Sequence, residues 1–188
     1  KKESGINPPR LKSDVLIYSR SQEARLTSPE TAKSQSNGNE TFIIDSPGEY
    51  EIKGINILGI ADEENTLYSI EMDGIKIAHL GFLDKDLDNE KMAFINEPDV
   101  VLVPVGNGPP TPAGAVLDAE KAMKLINKIE PSIAIPMLYY IKGLKIKRAP
   151  LSVFLKESEA KESPQPKLTI KKKDLVEEET KIVILEKT

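Results

Sequence analysis

Cysteine and tryptophan are absent from this chain, and histidine occurs once, as His79. Without cysteine there can be no disulfide, no thiolate zinc site, no iron–sulfur ligation and no cysteine nucleophile. A single histidine excludes any site that draws two or three imidazoles from one chain. No apolar run approaches the roughly 20 residues that span a bilayer, and the opening Lys1-Lys-Glu-Ser-Gly5 is not followed by the apolar stretch of a signal peptide. A soluble, cytoplasmic protein with no membrane partner is expected. The chain starts at Lys1 rather than at methionine, which points to residues missing ahead of it. Positive charge of broad extent is also lacking: 26 Lys and Arg are scattered among 30 Asp and Glu, for a net charge of −4. Nucleic acid is therefore not an expected partner.

What the 188 residues do contain is β-rich sequence followed by strand and helix alternation. Short apolar segments at 14–18, 41–45, 50–52, 55–60, 67–72 and 75–80 read as a strand meander punctuated by Ser46-Pro47-Gly48, Lys53-Gly54 and Asp73-Gly74. Asp-Gly suits a two-residue hairpin turn because both positions tolerate positive φ, so 67–80 is predicted as a hairpin. Val100-Val-Leu-Val103 and Ile133-Ala-Ile135 lack polar alternation, as strands buried on both faces do. Between them Ala122, Leu125, Ile126 and Ile129 share one helical face, Asp118 is placed to cap the first turn, and Pro131 ends the helix. Shorter helices are predicted over 88–96 and from Leu151, and final strands over 168–170 and 182–185. Polar stretches 27–40 and 157–167 read as surface loops. The class is mixed α/β, sheets packed together with helices outside, in one domain spanning 1–188.

Chemistry-bearing patterns are few. A serine nucleophile could use only His79 as base, and no Gly-x-Ser-x-Gly elbow occurs, so His79 reads as a structural hydrogen-bonding group at a strand end. Asp84, Asp86, Asp88 and Glu90 alternate like the start of a calcium loop, but Asn89 and Ile95 stand where the glycine and the bidentate glutamate belong. They read instead as a solvated helix start. Gly106-Asn-Gly108-Pro-Pro-Thr111 follows a buried strand, yet it lacks a third glycine and any Gly-Lys-Ser/Thr, which leaves an irregular strand-end loop rather than a phosphate cradle. Lys171-Lys-Lys173, flanked by Asp174 and Glu177-Glu-Glu179, reads as a locally neutralised turn.

In order and spacing, Gly5-Ile-Asn-Pro-Pro-Arg-Leu-Lys-Ser-Asp14, Pro47-Gly-Glu-Tyr-Glu-Ile-Lys-Gly54, Met72-Asp-Gly-Ile-Lys-Ile-Ala-His-Leu-Gly81, Val100-Val-Leu-Val-Pro-Val-Gly106 and Ile135-Pro-Met137 resemble the zinc-dependent hydrolase-like branch of the metallo-β-lactamase fold. The resemblance covers nearly the whole chain. It implies an αββα sandwich with a metal site at one edge, its opening strands missing from this chain. It also implies H-x-H-x-D-H after the first strand, where this chain carries Ser19, Ser21, Glu23 and Ala24. The family's H-L-G-D ends here in Phe82, and its Ile-Pro-Met-His-Tyr places Leu138 at the ligand histidine. Neutral Ser, Ala, Phe and Leu cannot hold a dizinc centre, so no metal cofactor is expected, with His79 and Asp84 as the nearby polar candidates.

Two functions follow as expectations. One is a non-catalytic member of the fold, kept for binding or scaffolding and able to form homo-oligomers. The alternative is a metal-dependent hydrolase of phosphodiesters, lactones or similar esters, its unorthodox site gathered from Glu23, Asp62, Glu63, Asp84 and His79 or completed by a second chain.

Overall fold

The computed structural model describes residues 5, 13–20, 41–107, 114–161, 163–175 and 179–186. Strands β1 (Val15–Ile17) and β2 (Phe42–Ile44) pair in parallel as a small sheet. The large sheet runs β3 (Gly48–Ile52), β4 (Ile55–Asp62), β5 (Asn65–Met72), β6 (Ile75–His79), β7 (Val100–Pro104), β8 (Ile133–Met137) and β9 (Lys181–Ile182), in that spatial order. Pairings from β3 to β6 are antiparallel, as short hairpin turns require, and those from β6 to β9 are parallel. Helices α1 (Asn89–Ile95), α2 (Ala119–Ile129) and α3 (Leu151–Glu157) complete the layers, with a short 3₁₀ turn at Lys172–Asp174.

Strand pleating explains the unbroken apolar runs. In β7, Val101 and Val103 join the core cluster that includes Ala122, Leu125 and Ile126 of α2 and Phe154 of α3. Their neighbours Val100 and Leu102 point to the opposite face and pack with Ile133, Val183 and Leu168. A third cluster, Ile44, Ile57 and Tyr68 with Val15 and Ile17, seats the small sheet on the large one. The layers are therefore helices, large sheet and small sheet.

Caps fall where the sequence places them. Asp118 accepts from Lys121 N–H and Asp88 from Lys91 N–H, each satisfying a first-turn donor. Asp88 thus starts α1, and no calcium loop forms around it. The hairpin from β5 to β6 turns at Asp73 and Gly74, both at positive φ.

Three expectations change. Residues 168–170 form no strand; Leu168 and Ile170 lie across the sheet face and bury their side chains there without a ladder. The last strand is only Lys181–Ile182, although Val183 and Ile184 continue into the core. Lys172, expected in a merely solvated turn, donates to Asp99 at 2.7 and 2.8 Å, while Asp99 also accepts from Lys76 N–H. The loops predicted at 27–40 and at 108–111 lie outside the described residues. Among the described residues no helix is long and apolar enough to cross a membrane.

Candidate functional site at the strand ends

Parallel strands leave their C-terminal ends on one edge, and the chain leaving β1, β6, β7 and β8 meets there. Such an edge gathers loops from several strands and is where α/β sheets usually bind ligands. Ser19 and Arg20 leave β1 and stitch onto the start of β5: Thr66 N–H donates to Ser19 carbonyl at 2.8 Å, and Arg20 bridges Asn65. Asn65, only 6% exposed, ties this to the turn after β6. Its Nδ2 donates to the Leu80 carbonyl at 3.2 Å, and its Oδ1 accepts from Phe82 N–H at 2.9 Å.

His79 sits at the centre of this knot. Gly81 N–H donates to its Nδ1 at 3.1 Å, and Ser19 Oγ lies 3.3 Å from the same nitrogen. A ring nitrogen that accepts a backbone N–H carries no proton, so neutral His79 is the Nε2–H tautomer and the Ser19 hydroxyl is the donor. Burial pushes the imidazole below its ordinary range. Protonating Nδ1 would also set two donors against each other. Gly81 N–H shares the single Nδ1 lone pair with the Ser19 hydroxyl, and burial disfavours the imidazolium that proton transfer would create, so the Ser19–His79 contact reads as structural and as a poor nucleophile–base pair.

Close backbone approach builds the rest of the edge. A Cβ on Gly81, at φ +57°, would lie 2.2 Å from Asn65 Oδ1 and 2.8 Å from Ser19 Cβ. A Cβ on Gly106 would lie 2.0 Å from the Leu138 carbonyl oxygen. Leu138 itself holds φ +57°, the turn by which the chain leaves β8. Ala149 N–H then reaches the Gly106 carbonyl at 2.8 Å, closing the loop that carries Tyr139, Tyr140 and Arg148. Over the ring of Phe82 lies the Arg20 guanidinium, Cζ 4.1 Å from the centroid.

Of the residues singled out from the sequence, Ser19, His79, Phe82 and Leu138 do line this edge. Ser21, Glu23 and Ala24 lie outside the described residues. Asp84 is exposed and acts on Arg20, whose pKa burial lowers while Glu64 and Asp84 pull it back up. Asp62 and Glu63 are not drawn to His79: buried Asp62 faces Lys91 at 3.5 Å and Lys85 at 3.7 Å, and Glu63 pairs with Lys85. Hydrogen bonding to Lys85 draws the Glu63 carboxyl down. Asn65, Arg20, Arg148 and Gly114 were not marked by sequence reasoning. The available signal was Arg20 lying between the two serines at the aligned metal-motif positions.

Among the described residues no three His, Cys, Asp or Glu side chains gather so as to hold a metal ion. The donors at the edge, Ser19, Asn65 and His79, are neutral and already hydrogen-bonded to one another's segments. These residues do not by themselves fit a divalent ion, which needs several anionic or imidazole ligands.

Comparison with known proteins gives the frame a family. Residues 1–138 match the β-lactamase superfamily domain. A UPF0173 metal-dependent hydrolase of Archaeoglobus fulgidus is 31% identical over 72 residues, 38% of this chain and 29% of the relative. Another, from Thermoplasma acidophilum, is 29% identical over 113 residues, 54% of this chain and 47% of the relative. The matched stretches thus span less than half the length of these relatives. A solved protein of the metallo-β-lactamase superfamily from Thermotoga maritima superposes with a TM-score of 0.72 at 28% identity, over 94% of this chain and 84% of that one. A metallo hydrolase of Ignicoccus hospitalis shares the fold alone, at a TM-score of 0.55 and 20% identity over 78% of this chain and 71% of that one. The relatives' names correct one expectation: both are metal-dependent hydrolases, so a metal cofactor, and not its absence, is what the family leads one to expect. By the match over most of its length and by its fold, the chain belongs to the β-lactamase superfamily.

Proposed function

We infer that this chain works by binding at the strand-end edge rather than by hydrolysis there, with residues 1–188 acting as one domain. One observation carries the reading. The single histidine is held neutral between Gly81 N–H and Ser19, with its Nδ1 lone pair occupied. A hydrolytic centre needs a base, a nucleophile or a water-activating group free to act on substrate. The charged groups described at this edge are Arg20 and Arg148, which bind and orient but do not accept a proton, with the exposed carboxylates of Glu64 and Asp84 acting on Arg20 from solvent.

The test is a panel of phosphodiesters, phosphomonoesters and lactones assayed with zinc and with manganese supplied. Background rates, the same for the native chain and for His79→Ala, support binding. Turnover that disappears in His79→Ala refutes it.

A second reading is favoured by the relatives' names. In it the chain is a metal-dependent hydrolase whose ligands come from outside the described residues, Glu23 among them, or from a second copy. Turnover in the same panel, lost on Glu23→Gln and retained in His79→Ala, supports that reading.

A further inference from the structure

One face of the large sheet is covered in two different ways. Over β4 and β5 lie the paired strands β1 and β2, which bring Val15 and Ile17 to the cluster around Ile57 and Tyr68. Over β7 and β8 lies the segment 166–175, which joins no ladder. Both covers sit on the same face, because Ile70 of β5, in the first cluster, pairs with Ile77 of β6, in the second.

The second cover is fastened lightly. Among the described residues no backbone hydrogen bond joins 166–175 to the sheet; its own, from Asp174 N–H to the Lys171 carbonyl and from Leu175 N–H to the Lys172 carbonyl, are local. Firm attachment lies on either side of it. Gln165 N–H donates to the Ile184 carbonyl at 2.9 Å, and Lys181 N–H to the Ser132 carbonyl at 2.9 Å. Between those pins the segment holds on by half-buried Leu168, Ile170 and Leu175 and by one ion pair. Few buried apolar contacts and no ladder are the marks of a segment that opens without the rest of the domain.

That ion pair is lopsided. The Asp99 side chain is 13% exposed and that of Lys172 57%. Lys172 Nζ meets both carboxylate oxygens, and the other donor to Asp99 among the described residues is Lys76 N–H at 2.8 Å. Without the lysine charge the closed segment would keep a largely dry carboxylate with a single donor, whereas the open segment would let water reach it. The neighbouring Lys171 and Lys173 are exposed. We propose that residues 166–175 form a strap that opens as a unit while the domain stays folded, with the Lys172–Asp99 ion pair as its latch. Opening bares the strip of Val100, Ile133 and Val183 beneath it. Ile75, Ile77 and His79 alternate onto this same face of β6, so the bared strip leads to His79 at the strand-end edge. The device is independent of whether that edge binds or hydrolyses.

Because the chain has no cysteine, one introduced thiol reports opening through its rate of labelling by an aromatic disulfide. Val100 and Val101 are neighbours on β7, 2% and 0% exposed, and face the strap and the helices respectively. Val100→Cys is expected to label about tenfold or more faster than Val101→Cys, and with a shallower dependence on urea, since less surface is exposed. Val183→Cys, also 2% exposed and in the strap-side cluster, is a second reporter should the first substitution perturb folding. Adding Lys172→Gln is expected to speed labelling at Val100→Cys about tenfold and to leave Val101→Cys nearly unchanged. Lys172→Arg, which keeps the charge, and Lys171→Gln, outside the latch, are expected to label as the native strap does.

Equal rates and equal urea dependence at the two faces would mean that the strap opens only when the whole domain unfolds, and would overturn the proposal. Acceleration of both thiols alike by Lys172→Gln, or of neither, would overturn the latch.

Discussion

Replacing Gly81 by alanine strikes the place where Ser19, Asn65 and His79 are tied together. Gly81 holds φ +57°, a conformation that costs an L-residue about 1–2 kcal/mol. The new Cβ would also sit 2.2 Å from Asn65 Oδ1 and 2.8 Å from Ser19 Cβ. Asn65 must then move, and it holds two hydrogen bonds, to the Leu80 carbonyl and from Phe82 N–H. Losing a hydrogen bond of this kind costs about 0.5–1.5 kcal/mol, more where a buried group is left unsatisfied. Together the strain and the two hydrogen bonds amount to about 2–5 kcal/mol, a large share of the roughly 5–15 kcal/mol that holds a typical domain folded.

Gly74 provides the control. It holds φ +73° in the hairpin turn, and a Cβ there meets nothing within 4 Å, so Gly74→Ala carries backbone strain alone. Urea unfolding of both variants, read as midpoint shifts at constant slope, separates the crowding from the strain. Gly81→Ala is expected to lose at least about 1 kcal/mol more than Gly74→Ala. Equal losses would refute the account of how this edge is packed.

Other consequences can be checked together. Because the folded-state pKa of His79 lies below its unfolded value, the unfolded chain binds the extra proton, so stability is full above about pH 6.5 and falls as pH drops toward the folded pKa. The carboxylates drawn downward, Glu63 and Asp88, keep their full contribution across this range and lose it only at lower pH; urea midpoints between about pH 7.5 and 5.5 should therefore decline in the native chain and stay flat in His79→Gln. Phe154→Ala removes a ring that is 1% exposed within the α2–α3 core and should cost about 3–5 kcal/mol by the same unfolding assay. Asp118→Ala removes the side chain that accepts from Lys121 N–H and should cost about 1 kcal/mol without altering the fold seen by circular dichroism.

Local rules made parts of this fold legible. Helix α2 follows from the spacing of Ala122, Leu125, Ile126 and Ile129 with Asp118 at its start, and the β5–β6 hairpin follows from Asp73-Gly74. The segment 168–170 was misread because alternating apolar residues signal burial on one face, and a face can be covered by chain that joins no ladder. At the edge, Ser19, His79, Phe82 and Leu138 were placed by resemblance to a motif with fixed strand-end positions. Arg20 and Arg148 were not, since nothing local records that loops after β1 and β8 converge on Gly114. Only the crossovers of the parallel sheet bring them there.

The state of His79 bears most directly on whether this edge binds or hydrolyses. With one histidine in the chain, nitrogen-15 correlation NMR gives its tautomer and titration without assignment ambiguity. The account predicts a neutral Nε2–H ring with an unprotonated Nδ1 and a pKa below the ordinary histidine value. An Nδ1–H tautomer, or titration at or above the ordinary value, would contradict it, because Nδ1 could not then be held by Gly81 and Ser19.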